Sequence, residues 1–208
     1  MINYKMKIIC VGRNYQKHIN ELGNKKSDSP VLFLKPETSI IQKKQPFFIP
    51  SFTNEVHFEV EILIKISRLG KSILPKFSKK YFTEIGLGID FTARDIQKKL
   101  KKNGLPWEKS KSFDGSALIG KWVNKSEISD LNNLNFSLFK NGEKVQSGNT
   151  SEMIWKIDEL ISEISKFFTL KIGDIIFTGT PAGVGPISRD DELTGYIDDN
   201  EIFNVKIK

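Results

Sequence analysis

The stretch His57-Phe-Glu-Val-Glu-Ile-Leu-Ile-Lys-Ile66 decides the fold class. Phe58, Val60, Ile62, Ile64 and Ile66 fall on one face of an extended chain, and His57, Glu59, Glu61, Leu63 and Lys65 on the other. This is the clearest strand of the chain. Its polar face is unusual, because glutamate is a poor strand former and Glu59 and Glu61 point the same way with Cα atoms roughly 6.6 Å apart. Carboxylates held side by side repel unless they share a cation, and hard oxygen donors select Mg²⁺, Mn²⁺ or Ca²⁺. The alternation fits a strand with one face in solvent equally well.

Working outward, residues 7–11 read as a first strand, followed by a turn at Gly12 and a short helix over 15–22. Short strands are expected over 30–34 and 48–49, between proline-marked turns. Residues 85–91 form a strand that Asp90 nearly ends, and a helix over 92–102 stops at Gly104 and Pro106. Asn141-Gly142, between strands over 136–139 and 143–146, signals a hairpin. A long helix is expected over 150–168. Ile154, Ile157, Leu160, Ile161, Ile164 and Phe168 form its apolar stripe, and Asn149 and Glu152 its cap. A late strand over 175–178 feeds the loop Gly179-Thr-Pro-Ala-Gly-Val-Gly185. Strands outnumber helices in no βαβα order. The expectation is a strand-rich α+β fold in a single domain spanning 1–208.

A chain of 208 residues can bury a full core. The lone Cys10 excludes disulfides and thiolate metal clusters, and His18 and His57 are too few for a multi-histidine zinc site. No apolar run approaches a membrane span, and residues 1–11 do not read as a signal peptide, so a cytoplasmic protein is expected. The net charge of +7 raises a nucleic-acid reading, but only four of 32 basic residues are arginines (Arg13, Arg68, Arg94, Arg189). The lysine clusters at 76–80 and 98–102 read as solvated faces, and neither nucleic acid nor membrane is an expected partner.

Among groups able to do chemistry, His18 precedes Glu21 by three residues on a short helix, the spacing of a carboxylate-oriented base and equally of a surface pair. Asp90 fits a metal carboxylate or a helix cap. Lys111 fits an anion-binding lysine or a surface one. The 179–185 loop offers backbone N–H groups to an anion but lacks a P-loop ending. Trp107, Trp122 and Trp155 read as core or interface residues, and Cys10 as a small buried one. His57 has no acidic partner at helical spacing.

Five segments stand in one order: Gly12-Arg-Asn-Tyr-Gln-Lys-His-Ile-Asn-Glu21, His57-Phe-Glu-Val-Glu61, Gly88-Ile-Asp-Phe-Thr-Ala-Arg-Asp-Ile-Gln97, Lys111-Ser-Phe-Asp-Gly115 and Gly173-Asp-Ile-Ile-Phe-Thr-Gly-Thr-Pro-Ala-Gly-Val-Gly185. In this order the chain resembles the fumarylacetoacetate hydrolase family, in its short single-domain branch that includes acylpyruvate hydrolases. The resemblance implies a mixed β-sandwich roll, commonly a homodimer. It implies a metal triad of Glu59, Glu61 and Asp90 holding Mg²⁺, or alternatively Mn²⁺. His18 and Glu21 match the dyad that activates water, and Lys111 a group that stabilises the enolate. Arg13, Arg94, Gln97, Gly179 and Thr180 are the implied substrate-binding residues. The implied substrate is a small 2-oxo or 2,4-dioxo acid, cleaved between C3 and C4 by water to pyruvate and a carboxylic acid. Oxaloacetate decarboxylation and 2-hydroxydienoate isomerisation pass through the same enolate. The dyad is expected to favour hydrolysis. A basic polyanion-binding protein is the non-enzymatic alternative and leaves the carboxylates unexplained. Two departures from the family pattern, Leu118 for a proline and Ser188-Arg-Asp-Asp-Glu192 for a Pro-Gly-Asp turn, affect loop shape only. The dyad lies on a short polar segment between Gly12 and Gly23, and residues 15–26 are expected to act as a poorly anchored lid.

Overall fold

A computed structural model describes residues 6–208; the expectation for residues 1–11 therefore lies partly outside the described residues. In chain order the elements are β1 (Ile8–Val11), α1 (Gln16–Glu21), β2 (Leu32–Lys35), β3 (Val56–Phe58), β4 (Val60–Ile66), β5 (Phe82–Asp90), β6 (Thr92–Ala93), α2 (Arg94–Lys102) and α3 (Glu108–Lys111). They continue with β7 (Ala117–Asn124), β8 (Asn135–Lys140), β9 (Glu143–Asn149), α4 (Ile157–Phe167), β10 (Ile175–Phe177), β11 (Gly185–Pro186), β12 (Glu192–Ile197) and β13 (Asn200–Lys206). Six strands form a mixed sheet in the order β2-β1-β10-β4-β5-β7, with β1 and β10 parallel. A four-stranded antiparallel sheet, β13-β12-β8-β9, packs on it, and a small sheet β11-β3-β6 closes one end.

The alternation read in 57–66 is the packing rule of the molecule. Val60, Ile62, Ile64 and Ile66 enter the main core with Leu87, Phe136, Leu138, Leu193 and Phe203, between the two large sheets. Leu63, on the opposite face, joins Ile8, Cys10, Ala117, Ile175 and Phe177 in a second apolar cluster. The strand is not continuous, however. It breaks at Glu59, where β3 leaves the small sheet and β4 enters the large one. Gln146 Oε1 accepts the Val60 N–H at 3.0 Å, satisfying a donor that the break takes out of the ladder.

Three element expectations are corrected. The 150–168 helix is confined to α4; residues 150–152 form one 3₁₀ turn, capped by the Asn149 side chain, and Met153 is extended. The reason is tertiary, because Ile154 N donates to Asn14 O and Trp155 N to Asn14 Oδ1, which hold this segment against the α1 entrance instead of on a helix. No strand forms at 48–49; its neighbour Phe47 makes a single bridge to Ile207. The segment 15–26 is better anchored than expected, since Tyr15 and Ile19 are both buried in the core region. The Asn141-Gly142 hairpin forms as read. The 188–191 turn closes through Ser188 N to Asp191 Oδ2, with Asp190 at φ 71°. No helix among the described residues is long and apolar enough to cross a membrane.

Candidate active site

Glu59 at the strand break, Glu61 on β4 and Asp90 at the end of β5 place carboxylate oxygens within 4.8 Å of one another. Their exposures of 5%, 2% and 1% rule out the solvent-facing strand reading. Asp90 is no helix cap either, because Ala93 occupies the N-cap position of α2. Adjacent antiparallel strands put the two groups together: Glu61 pairs with Gly88, and Asp90 N donates to Glu59 O.

Buried charge of this density needs compensation. Lys111 Nζ donates to Glu59 Oε2 at 2.8 Å, Asp90 Oδ2 at 2.6 Å and Thr92 Oγ1 at 2.6 Å. Arg94 binds Glu59 Oε1 through Nη2, Gln97 Oε1 through Nη1 and His57 Nδ1 through Nε. Lys35 Nζ lies 2.8 Å from Asp90 Oδ1, while it hydrogen-bonds the Lys111 carbonyl and both oxygens of Ser116. Asp90 Oδ1 is thus a buried oxygen beside a cation but without a directed hydrogen bond of its own.

The two glutamates titrate in opposite directions. Burial pushes Glu59 up, but Lys111 and Arg94 outweigh it and hold its carboxyl far below the ordinary range. Burial, then Asp90 and Glu59, push Glu61 well up, against one backbone N–H from Gly179 at 2.6 Å. Burial lowers the Lys111 ammonium and the carboxylates of Asp90 and Glu59 more than reverse that. A hard divalent cation fits this donor set, with three convergent oxygens, one lacking a directed donor and one whose ionisation burial and its carboxylate neighbours oppose.

His18 forms one wall of the same cleft. Its Nδ1 lies 3.1 Å from Glu21 Oε2, and Gly183 N holds Glu21 Oε1 at 2.9 Å. The Nδ1 contact leaves Nε2 as the basic nitrogen. Arg13, Glu59, Arg94, Gln97 and Lys111 line the cleft with His18. Gly179 stands behind Glu61, at φ +100°, where a Cβ would lie 2.7 Å from Asn14 Cβ. Neither Gly179 nor Thr180 is among the cleft-lining residues, and Thr180 Oγ1 accepts from Gln146 Nε2 at 3.0 Å. His57 does have an acidic partner, Glu55 Oε1 at 2.9 Å, two residues away on the strand path instead of on a helix. Burial and then Arg94 lower its pKa.

Several members were not singled out in the sequence. Lys35 and Thr92 complete the charge network, Gln146 ties the strand break to the 179–181 loop, and Asn14 clamps Thr178 O and Trp155 from 0% exposure. Lys35, a lysine closing the apolar run Leu32-Phe-Leu, carried a readable signal; Gln146 in a polar hairpin carried none. Trp107 is half-buried and lines the cleft, where Lys101 Nζ lies 6.0 Å from its ring centroid. A larger cavity of ≈ 390 Å³ lies on the other side of Trp107, lined mainly by apolar residues such as Leu32, Phe33 and Leu105. It has no convergent charged groups, so the chemistry belongs to the smaller cleft.

The model of the fumarylacetoacetate hydrolase C-terminal domain matches residues 7–208. The chain belongs to the fumarylacetoacetate hydrolase family. It is 45% identical over 197 residues, 94% of this chain and 90% of the other, to oxaloacetate tautomerase YcgM of Escherichia coli K12. The bovine mitochondrial oxaloacetate tautomerase FAHD1 is 40% identical over 201 residues, 97% of this chain and 90% of that protein. A family member from Yersinia pestis superposes with a TM-score of 0.94 at 40% identity, covering 100% of this chain and 96% of that one. Fumarylpyruvate hydrolase from Pseudomonas aeruginosa, solved with Mn²⁺ and pyruvate, gives 0.90 at 33% identity, covering 97% and 88%. The family and its strand-rich fold are thus as the sequence motifs implied.

Proposed function

We propose that this family member is a divalent-metal-dependent enzyme acting on small 2-oxo acids, and that its principal reaction is the keto–enol interconversion of oxaloacetate. The supporting observation is a base beside a buried carboxylate triad: His18, oriented by Glu21, lines the cleft with Glu59, whose carboxylate clusters with those of Glu61 and Asp90. A base beside an electron sink is the smallest set that removes a proton next to a carbonyl. Glu59, Glu61 and Asp90 would hold Mg²⁺ or Mn²⁺, which would supply Lewis-acid polarisation of the 2-oxo group. His18 Nε2 takes the C3 proton; its return to oxygen gives the enol and to carbon the keto acid. The Gln97 amide NH₂, whose partner Oε1 is taken by Arg94, is the donor left for the substrate carboxylate. Lys111 counters developing negative charge from the floor of the cleft.

The dyad alone does not single out hydrolysis, because a keto–enol shift needs a positioned base as well. Hydrolysis of a 2,4-dioxo acid remains the second reading, favoured by the likeness to a fumarylpyruvate hydrolase; there the same His18 draws a proton from water. The proposal keeps the homodimer that the family resemblance implies and the cytoplasmic location expected from the sequence. The deciding measurement compares two rates with Mg²⁺ and with Mn²⁺: loss of enol absorbance from fresh oxaloacetate, and pyruvate release from acetylpyruvate and fumarylpyruvate. Tautomerisation should have the larger kcat/KM. If pyruvate release from a 2,4-dioxo acid exceeds it, the chain is a hydrolase.

A further inference from the structure

The cations of the cleft fall into two groups. Arg94, Lys111 and Lys35 are each matched to a carboxylate of the triad. Arg13 and Lys101 are not. Among the described residues, Lys101 Nζ has the neutral amide oxygen Asn24 Oδ1 at 2.6 Å and the Trp107 ring, its centroid 6.0 Å away, and Arg13 Nη1 has a backbone carbonyl, Lys25 O at 3.3 Å. Both residues line the cleft with His18, Glu59 and Gln97.

Lys101 is there for a reason of helix geometry. Arg94, Gln97 and Lys101 are spaced three and four residues apart, so α2 presents them on one face. The residues run from the triad outward over about 10 Å of helix axis. Lys98 pairs with Glu55, Lys99 and Lys102 are exposed, and Lys101 alone among these lysines is half-buried and turned into the cleft. Burial, then Arg13 and Arg94, depress its pKa, which is the cost of holding cations together without an anion.

We propose that Lys101, together with Arg13, is the subsite for the second carboxylate of the substrate, so that the cleft selects dicarboxylic 2-oxo acids over monocarboxylic ones. This rests on the 2-oxo acid reading of the triad. The far carboxylate replaces Asn24 Oδ1 and Lys25 O as the partner of the two cations and relieves their mutual repulsion. Lys101 is a specificity-determining residue here, remote from the proton transfer.

The test measures binding, so it does not depend on turnover. Calorimetric titration with Mg²⁺ present compares oxalate, which reaches only the inner site, with malate, which carries a carboxylate at the far end. Replacing a half-exposed helical lysine by methionine keeps helix propensity, and an unchanged melting temperature verifies the fold. Lys101→Met should weaken malate by roughly 10–100-fold, the range of a charge-assisted contact, and leave oxalate within about twofold. Lys101→Arg should retain most malate affinity. Unchanged malate affinity in Lys101→Met, or a parallel loss of both ligands, overturns the subsite alone. Failure of the wild-type protein to bind oxalate overturns the 2-oxo acid reading and the subsite with it.

Discussion

Two glutamates separated by one residue are pushed in opposite directions, Glu59 toward permanent ionisation and Glu61 away from it. The difference lies in their partners. Glu59 has Arg94, Lys111 and Thr92; Glu61 has the Gly179 N–H and two carboxylate neighbours. Glu61→Gln keeps the acceptor for Gly179 and removes the group whose ionisation burial, Asp90 and Glu59 oppose. Without metal, the variant should melt at the wild-type temperature or above it, while its affinity for Mg²⁺ and Mn²⁺ and its turnover fall together. Calorimetric metal titration beside a melt in chelator would show this, and full turnover in excess chelator would exclude the metal role. His18→Ala should behave differently. It removes the base and no ligand, so metal affinity should hold while tautomerisation drops by on the order of 10²–10⁴. Oxaloacetate decarboxylation, which needs an electron sink but no base, should drop much less. Measuring both on one preparation at saturating Mg²⁺ separates a base from a positioning group, for which the two rates would fall in parallel.

Among the elements, those dictated by local pattern were readable and those dictated by distant partners were not. The Asn-Gly hairpin, α2 and β4 follow from turn chemistry and periodicity. The start of α4 does not, because Asn14, more than a hundred residues away, captures the backbone of Ile154 and Trp155. α2 also depends on a tertiary tie. Asp95 in its first turn accepts from Thr53 Oγ1 at 2.5 Å, Asn54 N at 3.1 Å and Ile96 N at 2.8 Å. Burial alone would raise its carboxyl, but these donors win and hold it below the ordinary range. Its stabilisation is therefore present above the unfolded aspartate pKa of ~3.9 and is lost as pH falls through the lower folded value. Asp95→Ala should cost about 1 kcal/mol near neutral pH, and its melting-temperature deficit should shrink on acidification below ~3.9. A pH-independent deficit would assign the loss to packing. The α1 segment is tested by hydrogen exchange. The cleft holds a cavity of ≈ 10 Å³, about one water and too little for a four-carbon acid. Entry must open something, and the polar ties of residues 21–26 (Glu21 to Gly183, Asn24 to Lys101, Lys25 to Arg13) are the weakest. Residues 21–26 should exchange fast without ligand and slowly with oxalate and Mg²⁺, while buried Ile19 changes little; equal protection in both states removes the gating role.

At the scale of the whole molecule, the triad stands where the six-stranded sheet meets the small one, and its residues come from the strand break and the adjacent strands β4 and β5. The sequence made the carboxylates, the dyad and the strand-rich class legible because each is a local pattern: alternation, helical spacing, a glutamate where strands avoid one. It could not show that Lys111 and Arg94 would close on Glu59, since that meeting depends on α2 and α3 folding back over β6. The break at Glu59 was invisible for a similar reason, because its lost ladder bond is replaced by Gln146 from the far sheet. A site assembled in this way exists only in the folded chain, and an ion bound there must stabilise the whole fold by mass action. At a free concentration of 100 times Kd the gain is about 2.7 kcal/mol. For a chain of this size each kcal/mol moves the melting midpoint by roughly 2–4 °C, so Mg²⁺ or Mn²⁺ should raise it by about 5–11 °C. Chelator should reverse the shift, and Glu61→Gln should require a higher ion concentration to reach it. Lys111 and Arg94 already neutralise Glu59, and Lys111 and Lys35 neutralise Asp90, so the ion's main electrostatic contribution is at Glu61. Glu61→Gln should therefore blunt the metal-induced shift more strongly than Glu59→Gln. A midpoint that stays fixed through millimolar additions of both ions would mean that the carboxylates are held by Lys111, Arg94 and Lys35 alone, and that the cleft binds no cation in its native state.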